Sequence, residues 1–290
     1  MPAATAALRL NIVKGKTVVI TGATSGIGAV AARRLAEQGA RIVIVARDRR
    51  RAEETLRDLR AANAEQPHTA FYADLSRLSE MKHVAAEIAA AEPRIDVLMN
   101  NAGLVASGNR KTADGLELMF AVNHLSYFVL TNLLLERLRA AGSARIVSTA
   151  SEAHRRAQLD FARLQEQRGM TGYGTTKLCN ILFTRELARR LAGTGVTANC
   201  LHPGFVATRF GDNSGGALRA GIAIAKRLFA LSPEEGAKTM VYLASSPEPA
   251  GQSGGYYDRC ALAHPSREAQ SEQHARRLWD LSAAITGITG

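Results

Sequence analysis

From residue 17 onward the chain alternates short apolar, β-branched runs with longer stretches in which apolar positions recur at helical spacing. Residues 17–21 (TVVIT), 41–46 (RIVIVA), 69–74 (TAFYAD), 96–100 (DVLMN), 144–150 (ARIVSTA) and 196–202 (VTANCLH) are near-continuous apolar runs. That is the pattern of parallel strands buried on both faces. Between them residues 27–38, 49–62, 78–91, 112–140 and 173–192 carry helical periodicity, and Gly39, Gly142 and Gly193 stand where several of these segments stop. Residues 254–257 are a candidate seventh strand. The alternation predicts an α/β fold: a doubly wound Rossmann-type domain with a mostly parallel sheet of about seven strands and helices on both faces. At roughly 150 residues per domain the length alone favours about two domains. No Pro/Ser-rich linker, composition shift or internal repeat divides the chain, so one domain over 1–290 is expected. Two segments lie outside the alternation: residues 205–231, and a tail from about residue 263. The first contains AGIAIAKRLFAL, a basic amphipathic stretch of a kind that can lie on membranes. Its place after a strand's carboxyl end favours a lid over a ligand crevice, with peripheral membrane contact as the alternative.

Composition narrows the class. With 46% hydrophobic and 22% charged residues the chain is of ordinary globular composition, which excludes disorder, collagen and coiled coil. The net charge of +11 raises nucleic acid as a partner, but Arg33, Arg34, Arg49 to Arg51, Arg57, Arg60, Arg189 and Arg190 fall on separate amphipathic segments without interleaved aromatics. They read as solvated helix faces, and no nucleic-acid partner is expected. Cys179, Cys200 and Cys260 are odd in number and lack metal-ligand or disulfide spacing, so no metal is expected and a reducing, cytoplasmic compartment is. No signal peptide is read at the N-terminus. The most lipophilic stretch, residues 116–135, is interrupted by Asn123, His124, Ser126, Thr131 and Asn132 and reads as a buried helix, not a transmembrane span.

The candidate chemistry gathers at strand ends. Gly22, Thr24, Ser25, Gly26, Ile27 and Gly28 lie in TGATSGIG, between the first strand and the first helix. Glycines there permit a tight turn and close backbone approach to a pyrophosphate seated at the helix N-terminus, so the segment is a dinucleotide site. The spacing is G-x-x-x-G-x-G, and the absence of a following Gly-Lys-Ser/Thr excludes a Walker A loop. After the second strand, Arg47 would accommodate a ribose 2′-phosphate, whereas Asp48 reads as the N-cap of the next helix. Asp74 and Leu75 end the third strand, and Asn101, Ala102 and Gly103 follow the fourth, all on the carboxyl edge. Tyr173 and Lys177 are four apart on a helix, hence on one face. A tyrosine at its ordinary pKa of ~10 needs about 3 units, or about 4 kcal/mol, to exchange protons near pH 7, and an adjacent ammonium supplies that sign of shift. Ser151, just past the fifth strand, either bonds a substrate oxygen or caps the next segment.

Together TGATSGIG, Asp74-Leu75, NNAG at 100–103, Asn123, Ser151, Tyr173-x-x-x-Lys177 and Pro203-Gly204 resemble the short-chain dehydrogenase/reductase family over nearly the whole chain. Residues 111–138, Ser151-Glu152-Ala153-His154 and residues 177–197 look most like its retinol-dehydrogenase-like branch. The resemblance implies an NADP(H)-dependent oxidoreductase acting on an apolar carbonyl or alcohol. In it Tyr173 is the general acid/base, Lys177 bonds the nicotinamide ribose and lowers the tyrosine's pKa, Ser151 holds the substrate oxygen, and Asn123 positions a water. It also implies that Gly22, Gly26, Ile27 and Gly28 line the pyrophosphate, Asp74 and Leu75 the adenine, and Asn101 the adjoining ribose. Pro203, Gly204, Val206 and Thr208 would form the carboxamide end. A homodimer or homotetramer is implied too, with the helices beginning at 112 and 173 as contact faces. The chain reads Ser148-Thr149-Ala150-Ser151 where the branch often has Asn-Val-Ser-Ser, which keeps the serine. His154 belongs to the branch's wording but reads as a pocket wall or cap. The alternative is a catalytically silent dinucleotide-binding regulator, which would have no need of Asn123, Ser151, Tyr173 and Lys177. A methyltransferase has no use for the Tyr/Lys pair, and an epimerase needs more than the about 85 residues that follow Pro203.

Overall fold

The computed structural model describes residues 12–204 and 232–289. The lid segment, with Val206 and Thr208, lies outside the described residues. One eight-stranded sheet in the order β3-β2-β1-β4-β5-β6-β7-β8 runs through the molecule. Its strands are β1 (Thr17–Thr21), β2 (Arg41–Ala46), β3 (Thr69–Tyr72), β4 (Val97–Asn100), β5 (Arg145–Thr149), β6 (Thr197–His202), β7 (Tyr256–Asp258) and β8 (Ala261–Ala263). All pairs are parallel except β7–β8. The strand order turns back on itself between β1 and β4, and that switch point opens a crevice at the carboxyl ends of the strands.

Helices α1 (Gly26–Glu37), α2 (Arg49–Ala62) and α3 (Leu78–Ala91) follow the first three strands. Asp48 caps α2, its carboxylate accepting the Arg51 N–H at 3.1 Å. Successive strand residues point to opposite faces, and each face has its own core. Val18, Ile20, Ile42 and Ile44 pack with Leu35 of α1 and with Met240 of α8 (Pro233–Ser245) on one side. Val19, Val43 and Leu98 pack with Phe128, Phe183 and Trp279 on the other. The arginine-rich faces are laced by pairs such as Arg33–Glu37, Arg50–Glu54 and Arg190–Glu186.

Two expectations are corrected here. Residues 112–140 are not one helix. Thr112 to Gly115 form a turn, with Gly115 at φ 75°, and Lys111 bridges Glu117. Glu117 then starts α4 (Leu118–Phe120) by accepting the N–H groups of Met119 and Phe120 at 3.0 and 2.7 Å. A π-turn (Ala121–Leu125) follows, then α5 (Ser126–Leu133) and α6 (Leu135–Arg139). The Asp-Gly turn chemistry and the buried capping glutamate outweigh the apolar periodicity that had joined these pieces. The segment from residue 263 is no loose tail: after β8 it forms α9 (Glu272–Thr286), which lies on α7 (Gly169–Arg190). Trp279 of α9 stacks on Phe183 of α7 with ring centroids 5.8 Å apart, and Arg190 covers its face at 4.3 Å. No described helix is long and apolar enough to cross a membrane. The three cysteines are free, and no metal-ligating cluster occurs among the described residues.

Candidate active site

The crevice is built from the ends of β1, β4 and β5 and from the flank of α7. Thr21, the last residue of β1, accepts the Asn101 and Ala102 N–H groups on its hydroxyl at 3.0 and 2.9 Å, which joins the loops after β1 and β4. The Asn101 amide donates to the carbonyls of Thr21 and Gly22, both at 3.1 Å, and its oxygen accepts the Thr149 hydroxyl at 3.3 Å. Its side chain therefore shapes the glycine turn. Gly22 has φ 70°, and a Cβ on Gly28 would stand 2.4 Å from the Gly22 oxygen. Nothing but glycine fits that packing. Helix α1 has no side-chain cap at Ser25, unlike the capped α2, α8 and α9, and no acidic residue in its first turn. Its unspent N–H groups and the glycine cradle fit a dinucleotide pyrophosphate. Thr24 and Ile27 border this cradle in sequence, and Pro203 and Gly204 follow β6 on the same edge, Gly204 at φ 81°. Arg47 is exposed directly after β2, while Asp74 and Leu75 follow β3, where Asp74 accepts the Ser76 N–H at 3.0 Å.

The chemical groups converge around α7. Tyr173 and Lys177 are both buried, at 8% and 2% exposure. The Ser151 side chain hydrogen-bonds Tyr173, and its oxygen also accepts the Ala153 N–H at 3.2 Å, so the serine is cap and oxygen-site candidate at once. Lys177 Nζ donates to the Thr149 carbonyl at 2.9 Å and lies 5.5 Å from the centre of the Tyr173 ring. Asn123 sits in the π-turn, whose extra residue swings the side chain to Leu104: it accepts that residue's N–H at 2.8 Å and donates to its carbonyl at 2.9 Å. It also donates to Thr176 Oγ1 at 3.1 Å. A Cβ on Gly103 would stand 3.4 Å from Asn123 Oδ1 and 3.6 Å from Lys177 Nζ, which places this glycine between the two. Leu104, Val105, Ala106, Leu118, Met119 and Ala153 form an apolar wall around Tyr173.

Burial pushes the Tyr173 hydroxyl well above its ordinary pKa, opposed by the Ser151 hydrogen bond, and burial pushes Lys177 down to about 7. Desolvation disfavours both charged forms. What the pair holds near neutrality is a lysine proton that can be given or taken. Nothing in the residue pattern marks the Thr149 carbonyl, a main-chain atom, as the anchor of Lys177, or Thr176 as a second partner of Asn123.

The pattern of the short chain dehydrogenase family matches residues 16–217. Human retinol dehydrogenase 14 is 41% identical, with 96% of this chain and 88% of that protein aligned. A crystal structure of an uncharacterized protein from Mycobacterium paratuberculosis superposes with a TM-score of 0.76 at 32% identity, covering 94% of each chain. The RhlG/NADP active-site complex of Pseudomonas aeruginosa gives a TM-score of 0.70 at 26% identity, covering 86% of this chain and 96% of that one. With the sheet order, the glycine turn and the serine, tyrosine and lysine on one crevice, the chain belongs to the short-chain dehydrogenase/reductase family of oxidoreductases, in its retinol-dehydrogenase-like branch.

Proposed function

We propose that the chain is an NADP(H)-dependent oxidoreductase interconverting an apolar aldehyde or ketone and its alcohol, with Tyr173 as general acid/base. The observation that carries this reading is the half-buried Ser151 with the buried Tyr173 and Lys177, set against an apolar wall at the switch point. NADP(H), when bound, supplies or accepts the hydride at the substrate carbon. The chain's own residues do the rest. Ser151 holds the substrate oxygen, Tyr173 gives that oxygen a proton or takes one, and Lys177, anchored on Thr149, exchanges the proton near neutral pH. Asn123, fixed by Leu104 and Thr176, holds the floor beneath Lys177. Exposed Arg47, with Asp48 occupied as the cap of α2, favours a 2′-phosphate, and the NADP complex among the related structures supports that choice. The names of relatives such as retinol dehydrogenase 14 support an apolar, retinoid-sized substrate.

An oligomer, as the resemblance implies, would have to use faces other than the middle of α7. From Gly172 to Thr184 every residue of α7 is already buried within the chain. Light scattering at micromolar concentration reads the state directly, and a pure monomer removes the oligomer from the proposal. A panel of all-trans-retinal, decanal and 4-nitrobenzaldehyde with NADPH, followed by loss of nicotinamide absorbance, tests the activity. Tyr173→Phe should cut kcat at least 10²-fold, within the roughly 10²–10⁴ of general acid catalysis, with NADPH Kd nearly unchanged. A variant keeping more than about a tenth of the wild-type rate would remove Tyr173 from the role.

A further inference from the structure

The proposed chemistry leaves His154 without a part. It is fully buried in the 3₁₀ turn Glu152–Arg156, three residues past Ser151, with its ring edge on Tyr256 at a centroid distance of 5.1 Å. Both ring nitrogens are bonded. Nδ1 lies 2.6 Å from the Ser151 carbonyl oxygen, and Nε2 accepts the Ser266 backbone N–H at 3.1 Å. A carbonyl only accepts and a backbone N–H only donates, so the proton is on Nδ1 and the imidazole is neutral. The ring therefore has no proton or lone pair to offer a substrate.

The Ser151 carbonyl receives two donors from this one residue: the His154 backbone N–H at 3.1 Å and Nδ1–H. On the other side, the stretch between β8 and α9 is tied to the turns after β5 at three points. Ser266 meets His154, the His264 carbonyl accepts Arg155 Nη2 at 2.8 Å, and Glu268 accepts the Leu159 N–H at 3.3 Å. We propose that His154 is a positioning residue for Ser151, clamping the Ser151 peptide through one ring nitrogen while the segment leading into α9 holds the other. The bond to the Ser151 carbonyl is the clamp itself, and the Ser266 N–H, from a part of the chain more than a hundred residues away, fixes the tautomer that puts the donor on Nδ1. The inference rests on the reading of Ser151 as the holder of the substrate oxygen.

Three variants of the full chain separate the two bonds. His154→Asn places a donor near the Nδ1 position and keeps the Ser151 bond. His154→Gln reaches the Nε2 position and keeps only the Ser266 bond, and His154→Phe keeps the ring and neither bond. With all-trans-retinal and NADPH, or decanal if that is turned over faster, His154→Asn should stay within about threefold of wild-type kcat, whereas His154→Gln and His154→Phe should fall about tenfold, the worth of one well-placed hydrogen bond. NADPH Kd should hold within about twofold, and the deuterium isotope effect on kcat from NADPH labelled at the transferred position should rise in the slow variants. A mere loss of folded protein lowers the rate without moving that isotope effect. Independently of turnover, the Ser266 amide should exchange hydrogen faster in His154→Asn and His154→Phe than in wild type or His154→Gln. Equal rates for the Asn and Gln variants, an unmoved isotope effect, or unchanged Ser266 exchange would overturn the clamp. If His154→Phe does not fold, the Asn and Gln pair decides alone. Tyr173→Phe run alongside separates the two failures: activity surviving there sinks the site reading, whereas its loss with wild-type rates in the Gln and Phe variants sinks the clamp only.

Discussion

Replacing Arg47 by Ala tests how the chain chooses between phosphorylated and unphosphorylated cofactor. Arg47 is exposed, follows β2 directly, and has no ion pair or side-chain hydrogen bond among the described residues. Its neighbours are spoken for. Asp48 is turned to the Arg51 N–H, which holds its carboxyl below the ordinary value, and the Arg49 guanidinium lies 4.0 Å over the Tyr72 ring. Arg47 is therefore the uncommitted cation at this edge, and the nearest carboxylate is occupied as a helix cap. One charge-assisted hydrogen bond to a 2′-phosphate is worth about 1.5–3 kcal/mol, or roughly 10- to 100-fold in Kd. Solvent exposure puts the effect at the lower end, about tenfold, and makes it sensitive to salt. Nicotinamide fluorescence titrations should show the Arg47→Ala Kd for NADPH rising about tenfold while that for NADH moves less than about threefold. Raising the salt from 50 to 500 mM should narrow the wild-type preference. Asp48→Ala, in parallel, should lower the melting temperature through the lost cap and leave the NADPH/NADH ratio alone. Equal losses for both cofactors in Arg47→Ala, a wild type that prefers NADH, or a ratio that swings in Asp48→Ala would refute the reasoning.

Three further outcomes are expected. Gly28→Ala would drive a Cβ to 2.4 Å from the Gly22 oxygen and 2.5 Å from Asn101 Nδ2; thermal melts should show a loss of about 1–3 kcal/mol and titration a weaker NADPH complex, and a variant equal to wild type in both would refute the close approach. Burial pushes His124 down to about 3, so the folded state keeps it neutral and binds fewer protons than the unfolded chain, where it titrates near 6.5. Its contribution is intact above pH 6.5 and is lost as pH falls towards 3: at pH 4.5 about 3 kcal/mol is gone, and urea unfolding should show His124→Phe flattening the acid limb by that amount, whereas an unchanged slope would contradict it. Trp279→Ala removes the ring wedged between Phe128, Phe183 and Arg190 and should cost about 3–5 kcal/mol by chemical denaturation; a loss below about 1 kcal/mol would mean that α9 is not part of the core.

The sheet was legible because parallel strands covered on both sides leave near-continuous apolar runs, and β1, β2 and β6 begin or end within a residue of where those runs do. The glycine turn, Ser151, Tyr173 and Lys177 were legible because their chemistry is tied to residue type and spacing. Residues 112–140 were misread because apolar periodicity survives across a turn, a π-turn and three short helices, and only the Asp114-Gly115 pair and buried Glu117 mark the breaks. The seventh strand was expected near its place, but β8 and α9 were missed for a different reason: a three-residue strand carries too little pattern, and α9 draws its meaning from Phe183, ninety-odd positions earlier. Burial of the Tyr173 hydroxyl was not legible, because burial is a property of the fold and not of the Tyr-x-x-x-Lys spacing.

The covering of α7 by α9 has a consequence for synthesis. Helix α7 ends at Arg190 and α9 begins at Glu272. At ~5–20 residues per second of translation, the helix that carries Tyr173 and Lys177 is on the ribosome for roughly five to fifteen seconds before its cover exists. During that interval Leu178, Leu182 and Phe183, later sealed by Ala275, Leu278 and Trp279, are sticky surface. The nascent chain thus shows the apolar side of α7 to solvent until α9 follows. A slow codon placed between residues 190 and 272 should aggregate it more readily than the same pause placed after residue 286.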